Sequence, residues 1–248
     1  MNQEIVLAEM LYSQGFGTRR VCAGLVQQGL VEVGGVVQTD AAQVLTVHTG
    51  SPFRVQGQNW EYHPKAYVML HKPAGYECSQ KPTAWPPVYT LLPSPLRTRP
   101  STGKQAGVQA VGRLDQDTTG LLILTDDGQQ LHRMSSPKHH VPKIYQVTCK
   151  HPLEASQIQR LLDGVVLDDD PKPVRAAACV QTAECNLDLT LTQGKYHQVK
   201  RMIAAVGNRV EALHRSQIGD LVLPPDLASG HWRFLNAEQL AALQKRAD

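Results

Sequence analysis

The run Leu121-Leu122-Ile123-Leu124 is continuously aliphatic and is bounded by turn-forming residues, Gly112 to Gly120 before it and Asp126-Asp127-Gly128 after it. A short apolar run bounded in this way reads as a buried strand, so the fold has to close around it. The polar loop that feeds the strand, Gly112-Arg113-Leu114-Asp115-Gln116-Asp117-Thr118, is thereby held out in front of a packed element. Reactive groups are commonly placed on loops fixed in that way, and Asp115 is the candidate. Taken alone, an Arg-x-Asp triplet reads more readily as a turn in which Asp115 caps and Arg113 pairs with it.

At 248 residues the chain can hold one large or two smaller domains and a substantial core. Its formal net charge is only +3, so attraction to a polyanion has to come from local patches. No run approaches the roughly 20 apolar residues of a membrane span. The opening Met1-Asn2-Gln3-Glu4 lacks the basic start of a signal peptide, and a cytoplasmic protein without membrane partners is expected. Five cysteines, Cys22, Cys78, Cys149, Cys179 and Cys185, are scattered and never spaced Cys-x-x-Cys, which suits reduced thiols rather than disulfides or a zinc site.

Along the chain, residues 4 to 29 suggest two short helices, the first carrying Ile5, Leu7, Ala8 and Leu11 and the second capped by Thr18. Val31 to Val33, Gly34-Gly35 and Val36-Val37 read as a hairpin. Helix, helix and hairpin with Arg19-Arg20 at the second helix start are similar to the small S4-type RNA-binding module. Between residues 1 and 62, however, only Arg19, Arg20 and Arg54 oppose Glu4, Glu9, Glu32, Asp40 and Glu61, so any RNA contact falls to the Arg19-Arg20 corner. Gly57 to Lys65 reads as a polar linker. A strand, Tyr67 to Leu70, then ends in a Pro73-Gly75 turn with Lys72 at its mouth. Residues 93 to 109, with three prolines, Arg97, Arg99 and Lys104, read as a mobile basic loop, either an inert insertion or a cover for a phosphate backbone.

Beyond the central strand, Asp126-Asp127-Gly128 starts a short helix through Leu131 and Met134. Lys143 to Cys149 alternates as a strand with Tyr145, Val147 and Cys149 on one face. His139-His140 has no third ligand at a useful spacing, so no metal site is expected. A helix near Leu153 to Leu162, strands near Val165 to Leu167 and Val174 to Val180, and a solvated turn over residues 168 to 170 follow. Leu187 to Leu191 alternates, turns at Gly194 and gives way to a helix with Val199, Met202, Ile203 and Val206 on one face. Lys195, His197, Gln198, Lys200 and Arg201 therefore crowd a helix N-terminus, where cations disfavour the helix itself; the arrangement calls for a carboxylate or a phosphate. Arg209 to Arg215 reads as another strand, and Asn236 with Gln239 as the cap of a last helix. Strands outnumber helices and mix with them irregularly, which is the pattern of an α+β domain.

Gly112-Arg113-Leu114-Asp115-x-x-Thr118-x-Gly120-Leu121-Leu122, Lys143-x-Tyr145 and Gly194-Lys195-Tyr196-His197-Gln198-Val199-Lys200-Arg201-Met202 together closely resemble the three motifs of RsuA-type pseudouridine synthases, in order and spacing, from about Tyr67 to Leu235. His139-His140, His197-Gln198 and His214-Arg215 look most like the branch acting on 16S, small-subunit ribosomal RNA. The resemblance implies an α+β catalytic domain with a mixed, mainly antiparallel sheet over residues 63–248, preceded by an S4-like RNA-binding domain over 1–62. It implies an isomerase that turns a specific uridine into pseudouridine without cofactor or metal, flipping the base out of the RNA. Asp115 would be the catalytic carboxylate, Lys200 its basic partner and Tyr145 the ring that stacks on the uracil. Arg113, Lys72, Arg19, Arg20, Lys143, His197, Gln198 and Arg201 would contact RNA. The expected partner is ribosomal RNA, in a partly assembled small subunit, and the expected state is a monomer. The competing readings are a synthase for large-subunit or other RNA, a non-catalytic ribosome-assembly protein, and a metal-dependent hydrolase using His139, His140 and His197. The N-terminal segment lacks the family's Arg-Leu-Asp-Lys opening, and the 93–109 loop is longer than the family's usual connection.

Overall fold

The structure is a computed structural model in which residues 2–101, 106–130, 141–167 and 170–243 are described. They divide into two compact units: Met1–Tyr67, Leu92–Gln109 and Leu124–Gln129 form the first, and Val68–Leu91, Ala110–Ile123 and Gln130–Asp248 the second. Among the described residues no helix is long and apolar enough to cross a membrane.

In the first unit, β1 (Gln3–Val6) precedes helix α1 (Leu7–Gln14), and α2 (Arg19–Gln27) follows. The first helix thus starts later than its apolar spacing suggests. Ile5 lies in β1 opposite Leu45 of β4 (Val44–Val47), because a paired strand suits the β-branched Ile5-Val6 better than a helical turn. Leu7, Met10 and Leu11 form the buried stripe of α1, which Gly15 ends at φ 90°. The Thr18 hydroxyl caps α2 by accepting from the Val21 N–H at 3.3 Å. Strands β2 (Val31–Val33), β3 (Val36–Gln38), β5 (Pro52–Val55) and β6 (Gln58–Glu61) form an antiparallel sheet in the order β3-β2-β5-β6. Gly57 to Lys65 is therefore no linker. Gln58 and Asn59 are exposed, but Trp60 pairs with Phe53 in register and meets the Phe16 ring edge-on at 5.2 Å, and this single inward aromatic carries the strand.

The expected loop over 93–109 is also corrected. Ser94–Thr98 forms α3, which places the Thr98 hydroxyl on the Gly15 carbonyl at 2.7 Å, and Arg99 is buried rather than presented to a ligand. Residues 102–105, Lys104 among them, lie outside the described residues. Arg99 Nε meets Asp126 Oδ2 at 2.6 Å, Nη1 donates to Gln14 Oε1 at 2.8 Å and Nη2 to the His63 carbonyl at 2.6 Å. The second Asp126 oxygen accepts the Ala66 N–H at 2.8 Å. A buried pair supported on both sides by hydrogen bonds is stable only while whole. Asp126→Ala is expected to destabilise the protein by about 3–5 kcal/mol, read from urea unfolding.

The second unit is built on a nine-stranded, mixed sheet in the order β13-β14-β10-β15-β9-β7-β17, with β16 on β15 and β8 on β9. Its strands are β7 (Tyr67–Lys72), β8 (Gln109–Ala110), β9 (Thr119–Thr125), β10 (Lys143–Cys149), β13 (Ala178–Ala183), β14 (Asn186–Leu191), β15 (Val210–Ile218), β16 (Leu221–Val222) and β17 (Trp232–Phe234); β11 (Val165–Leu167) and β12 (Asp170–Val174) pair separately. The expected single strand from Val174 to Val180 is two, β12 and β13, broken between Arg175 and Ala177. The pairings of β10 with β14 and β15, and of β13 with β14, are antiparallel, whereas β15 and β9 run parallel. Leu121 to Leu124 are wholly buried at the middle of this sheet, as the apolar run requires. Helices α4 (Ala155–Asp163), α5 (Gln198–Ala205) and α6 (Ala237–Leu243) complete the unit. Asn236 and Gln239 form the reciprocal cap of α6. The fold is α+β with a mainly antiparallel catalytic sheet. The expected helical turns at Leu131 and Met134, His139-His140 and the turn at 168–169 lie outside the described residues.

Gly120 sits opposite Arg215 in the β9–β15 pairing at φ 110°, and a Cβ there would run into the Arg215 carbonyl oxygen. This close approach of two backbones is what the glycine in Thr118-x-Gly120 permits.

Candidate active site

The loop from Gly112 to Thr118 enters β9 at one wall of a cleft of about 740 Å³. Its backbone is held from beneath by Lys72, the last residue of β7. Lys72 is 0% exposed, and its ammonium donates to the carbonyls of Pro73 at 3.0 Å, Asp115 at 3.0 Å, Gln116 at 3.2 Å and Thr118 at 2.8 Å. Burial pulls its pKa below the usual lysine range. Lys72 is therefore not the RNA contact its place at the turn mouth suggests. An ammonium has three N–H bonds, and all are spent on main-chain oxygens. The Gly75 N–H adds a bond to the Gln116 carbonyl at 2.8 Å, and the Thr118 N–H closes a turn onto the Asp115 carbonyl at 3.1 Å.

The side chain of Asp115 faces α5. Its Oδ2 lies 3.2 Å from Lys200 Nζ and its Oδ1 3.4 Å from His197 Nε2. Lys200 also binds Asp117, at 2.7 and 2.9 Å, so the two carboxylates of the loop share one ammonium. Burial alone would lower the Lys200 pKa, but its hydrogen bonds to Asp117 and Asp115 and their charges raise it overall. Burial works to raise Asp117, and the Lys200 hydrogen bond and charge outweigh it, so Asp117 stays below the ordinary carboxylate range. The cations crowded at the helix N-terminus have thus found their carboxylates. His197 stands at the N-cap in the left-handed region, φ 49°, with the Tyr196 ring stacked on it at 3.8 Å. Gln198, expected at RNA, is buried: its Oε1 accepts the Lys195 N–H at 2.8 Å and its amide reaches Met202 Sδ at 3.8 Å. It braces the turn into α5 instead.

Tyr145 and Lys143 of β10 and Arg215 of β15 line the same cleft, as do Arg113 and Tyr196. Tyr145 is nearly buried and stands directly opposite Arg215 in register, while Arg113 is exposed. Lys143 donates to the Val141 carbonyl at 2.8 Å, and burial, with the charge of Arg215 behind it, lowers its pKa to about 8. Arg201 donates to the Tyr196 carbonyl at 3.2 Å. In the first unit, Arg19 is engaged by Glu9 at 2.6 Å and lies over the Tyr12 ring, and Arg20 is exposed beside it. A smaller depression of about 420 Å³ shares Asp117 but is rimmed by Asp188 and Glu211, a poor setting for phosphates. Among the described residues no cluster of His, Cys, Asp and Glu is able to hold a metal ion. Asp117 and Arg215 are the site residues that sequence reasoning did not assign. The alternation of Leu213 and Arg215 along β15, both buried, is the signal that marks the second.

A cleft with two aspartates held by one lysine, beside a tyrosine and several cations, has the parts of an RNA-base isomerase, and the chain belongs to the RNA pseudouridylate synthase family, which it matches over residues 66–205. Among curated proteins, it is 39% identical over 229 residues to the ribosomal small subunit pseudouridine synthase A of Pasteurella multocida, covering 92% of this chain and 94% of that one. Identity to the protein of that name from Yersinia pestis is 45% over 177 residues, 71% and 72% of the two chains. For Escherichia coli K12 it is 37% over 237 residues, 93% and 96%. A crystal structure described as a pseudouridylate synthase matches with a TM-score of 0.66 at 34% identity, over 96% of this chain and 98% of the other.

Two outcomes test the assignments of the lysines. Lys72→Met leaves the loop carbonyls unsatisfied; stability should fall by about 1–3 kcal/mol in chemical unfolding. Catalysis should fall by about 100-fold from the displaced carboxylate, with RNA affinity in filter binding nearly unchanged. The folded-state pKa of Lys143 is depressed, so the folded chain binds fewer protons than the unfolded one between about pH 8 and the unperturbed 10.5. Stability from this group is therefore gained as pH rises through that window and lost as pH falls through 8. In thermal melts, Lys143→Met should exceed the wild type at pH 7, with the difference closing toward pH 10.5.

Proposed function

We propose that this enzyme converts one uridine of 16S ribosomal RNA to pseudouridine, with Asp115 as its catalytic carboxylate. The observation that carries the reading is Asp115 itself. Its backbone is tied down by Lys72 and its side chain is held by Lys200, on the wall of a cleft also lined by Tyr145. The small-subunit naming of relatives that match over nearly their whole length supports the choice of RNA.

The chemistry asks for little else. The N1–C1′ bond breaks, the base turns and rejoins through C5, the C5 proton is lost and N1 gains one, so no redox partner, metal or phosphoryl donor enters the balance. Flipping the nucleotide out of folded RNA costs a few kcal/mol. Stacking of the uracil on Tyr145 returns about 1–3 kcal/mol. Lys200 holds the Asp115 carboxylate oriented toward the ribose, and exposed Arg113 meets the RNA around the extruded nucleotide. His197, Arg201 and Lys143 supply further contacts to RNA. The segment 1–62 is read as an S4-like RNA-binding domain that presents exposed Arg20, and 63–248 as the catalytic domain. The substrate is read as a partly assembled small subunit, met by a monomer in the cytoplasm.

The test is carbodiimide and primer-extension mapping of ribosomal RNA from cells lacking the protein, supplied with wild type or Asp115→Asn. One small-subunit stop should vanish and return only with the wild type. A large-subunit stop behaving this way would move the substrate, and return of the stop with Asp115→Asn would remove Asp115 from its role.

A further inference from the structure

Arg215 is only 2% exposed, yet most of its guanidinium is unused. Nε donates to the Leu121 carbonyl at 2.9 Å, Nη2 is sealed from solvent without a partner, and Nη1 has no hydrogen bond among the described residues. An arginine buried with open N–H bonds is a costly arrangement unless something else accepts them. Arg215 lines the cleft of Asp115, and so does Thr118, whose hydroxyl is also sealed and without a partner. Arg215 is paired in register with Tyr145, so the ring and the guanidinium stand side by side on adjacent strands. Lys143 lines the same wall with its ammonium on the Val141 carbonyl. Of the carboxylates that line the cleft, Asp115 and Asp117 are bound to Lys200 and Glu77 accepts from the N–H groups of Thr83, Ala84 and Trp85, and among the described residues none is paired with Arg215 or Lys143. The cleft thus has a carboxylate side and, around Tyr145, a cationic side with unmet donors.

This inference rests on the reading of the cleft as a uridine isomerase site. Heterolysis of the N1–C1′ bond leaves its electron pair on N1, and the charge spreads to the ring carbonyl oxygens O2 and O4. The charge is discharged when C5 bonds to C1′, gives up its proton and N1 is protonated. We propose that Arg215 is a catalytic residue that donates from its unbonded Nη1 to a carbonyl oxygen of the uracil stacked on Tyr145 and stabilises the negative charge the base carries while detached from ribose. Asp115 serves the sugar and Arg215 the base. Burial makes each donated hydrogen bond worth more than it would be in water, and a donor already in place needs no reorganisation as the charge appears.

The test uses the purified full chain in excess over 16S ribosomal RNA, free or bound by small-subunit proteins, prepared with uridine or with 5-fluorouridine. Fluorine withdraws electrons and eases departure of the base as an anion. Consumption of the target nucleotide is followed by chromatography of complete digests, giving a maximal rate and a half-saturating enzyme concentration. Arg215→Gln is expected to lower the maximal rate on uridine about 100-fold. Half-saturation should stay within about threefold, and the loss should shrink by about tenfold on 5-fluorouridine. Arg215→Lys, which keeps the charge without the fork, should fall between, and it carries the same comparison if Arg215→Gln loses the wild-type circular dichroism. An equal loss on both RNAs, a loss confined to half-saturation, or no loss overturns the role of Arg215 while leaving the isomerase intact. A wild type that forms no pseudouridine overturns both.

Discussion

The buried ammonium of Lys72 is the interaction on which the Asp115 loop depends. A loop of Gly, Arg, Asp, Gln and Thr has no apolar side chain except Leu114 with which to anchor itself, and its carbonyls would otherwise turn to water. By collecting the carbonyls of Asp115, Gln116 and Thr118 on one cation, the end of β7 substitutes for the missing core. The carboxylate of Asp115 is left free to face α5, because the lysine beneath it takes only main-chain oxygens. Two lysines thus divide the work: Lys72 holds the backbone and Lys200 holds the side chain.

The charge layout follows. Lys200 between Asp115 and Asp117 is a compact cluster of one cation and two anions, with His197 on the far oxygen of Asp115. Lys143 and Arg215, which line the same cleft, have no carboxylate of their own among the described residues, and burial, with the charge of Arg215 added to it, lowers the proton affinity of Lys143. The partition is imposed by the sheet: β10 and β15 carry the cations beside Tyr145, while the acids come from a loop and meet a helix end.

Much of this was legible before any coordinates. Leu121 to Leu124 announced the central strand, and alternation put Tyr145, Val147 and Cys149 on one face; all are buried. The run Val199, Met202, Ile203 and Val206 gave α5 and its crowded N-terminus. The failures share a cause, which is that tertiary contacts overrode local composition. Gln58-Asn59-Trp60-Glu61 reads as loop because only one side chain faces inward, and 93–109 reads as loop because Arg99 is a core residue only in the presence of Asp126. Lys72 and Gln198 were placed at RNA because polarity says nothing about direction, and both point into the protein. Arg215 is an arginine at an inward position of an alternating strand, and that alternation is the sequence signal for its burial.

The ion pair between Arg99 and Asp126 bears on the order in which the chain matures at the ribosome. Gln14 and His63, which complete that cluster, belong to the first quarter of the chain, yet their cation arrives later and its counter-ion later still. The cluster is still incomplete when the strands of the first 62 residues have emerged; it is complete only once Asp126 has also left the tunnel. By then the Asp115 loop and most of β9 have also left the tunnel. A fragment ending near residue 62 would lack two of the buried charges of the first unit, so the smallest piece that holds the whole unit already contains Asp115.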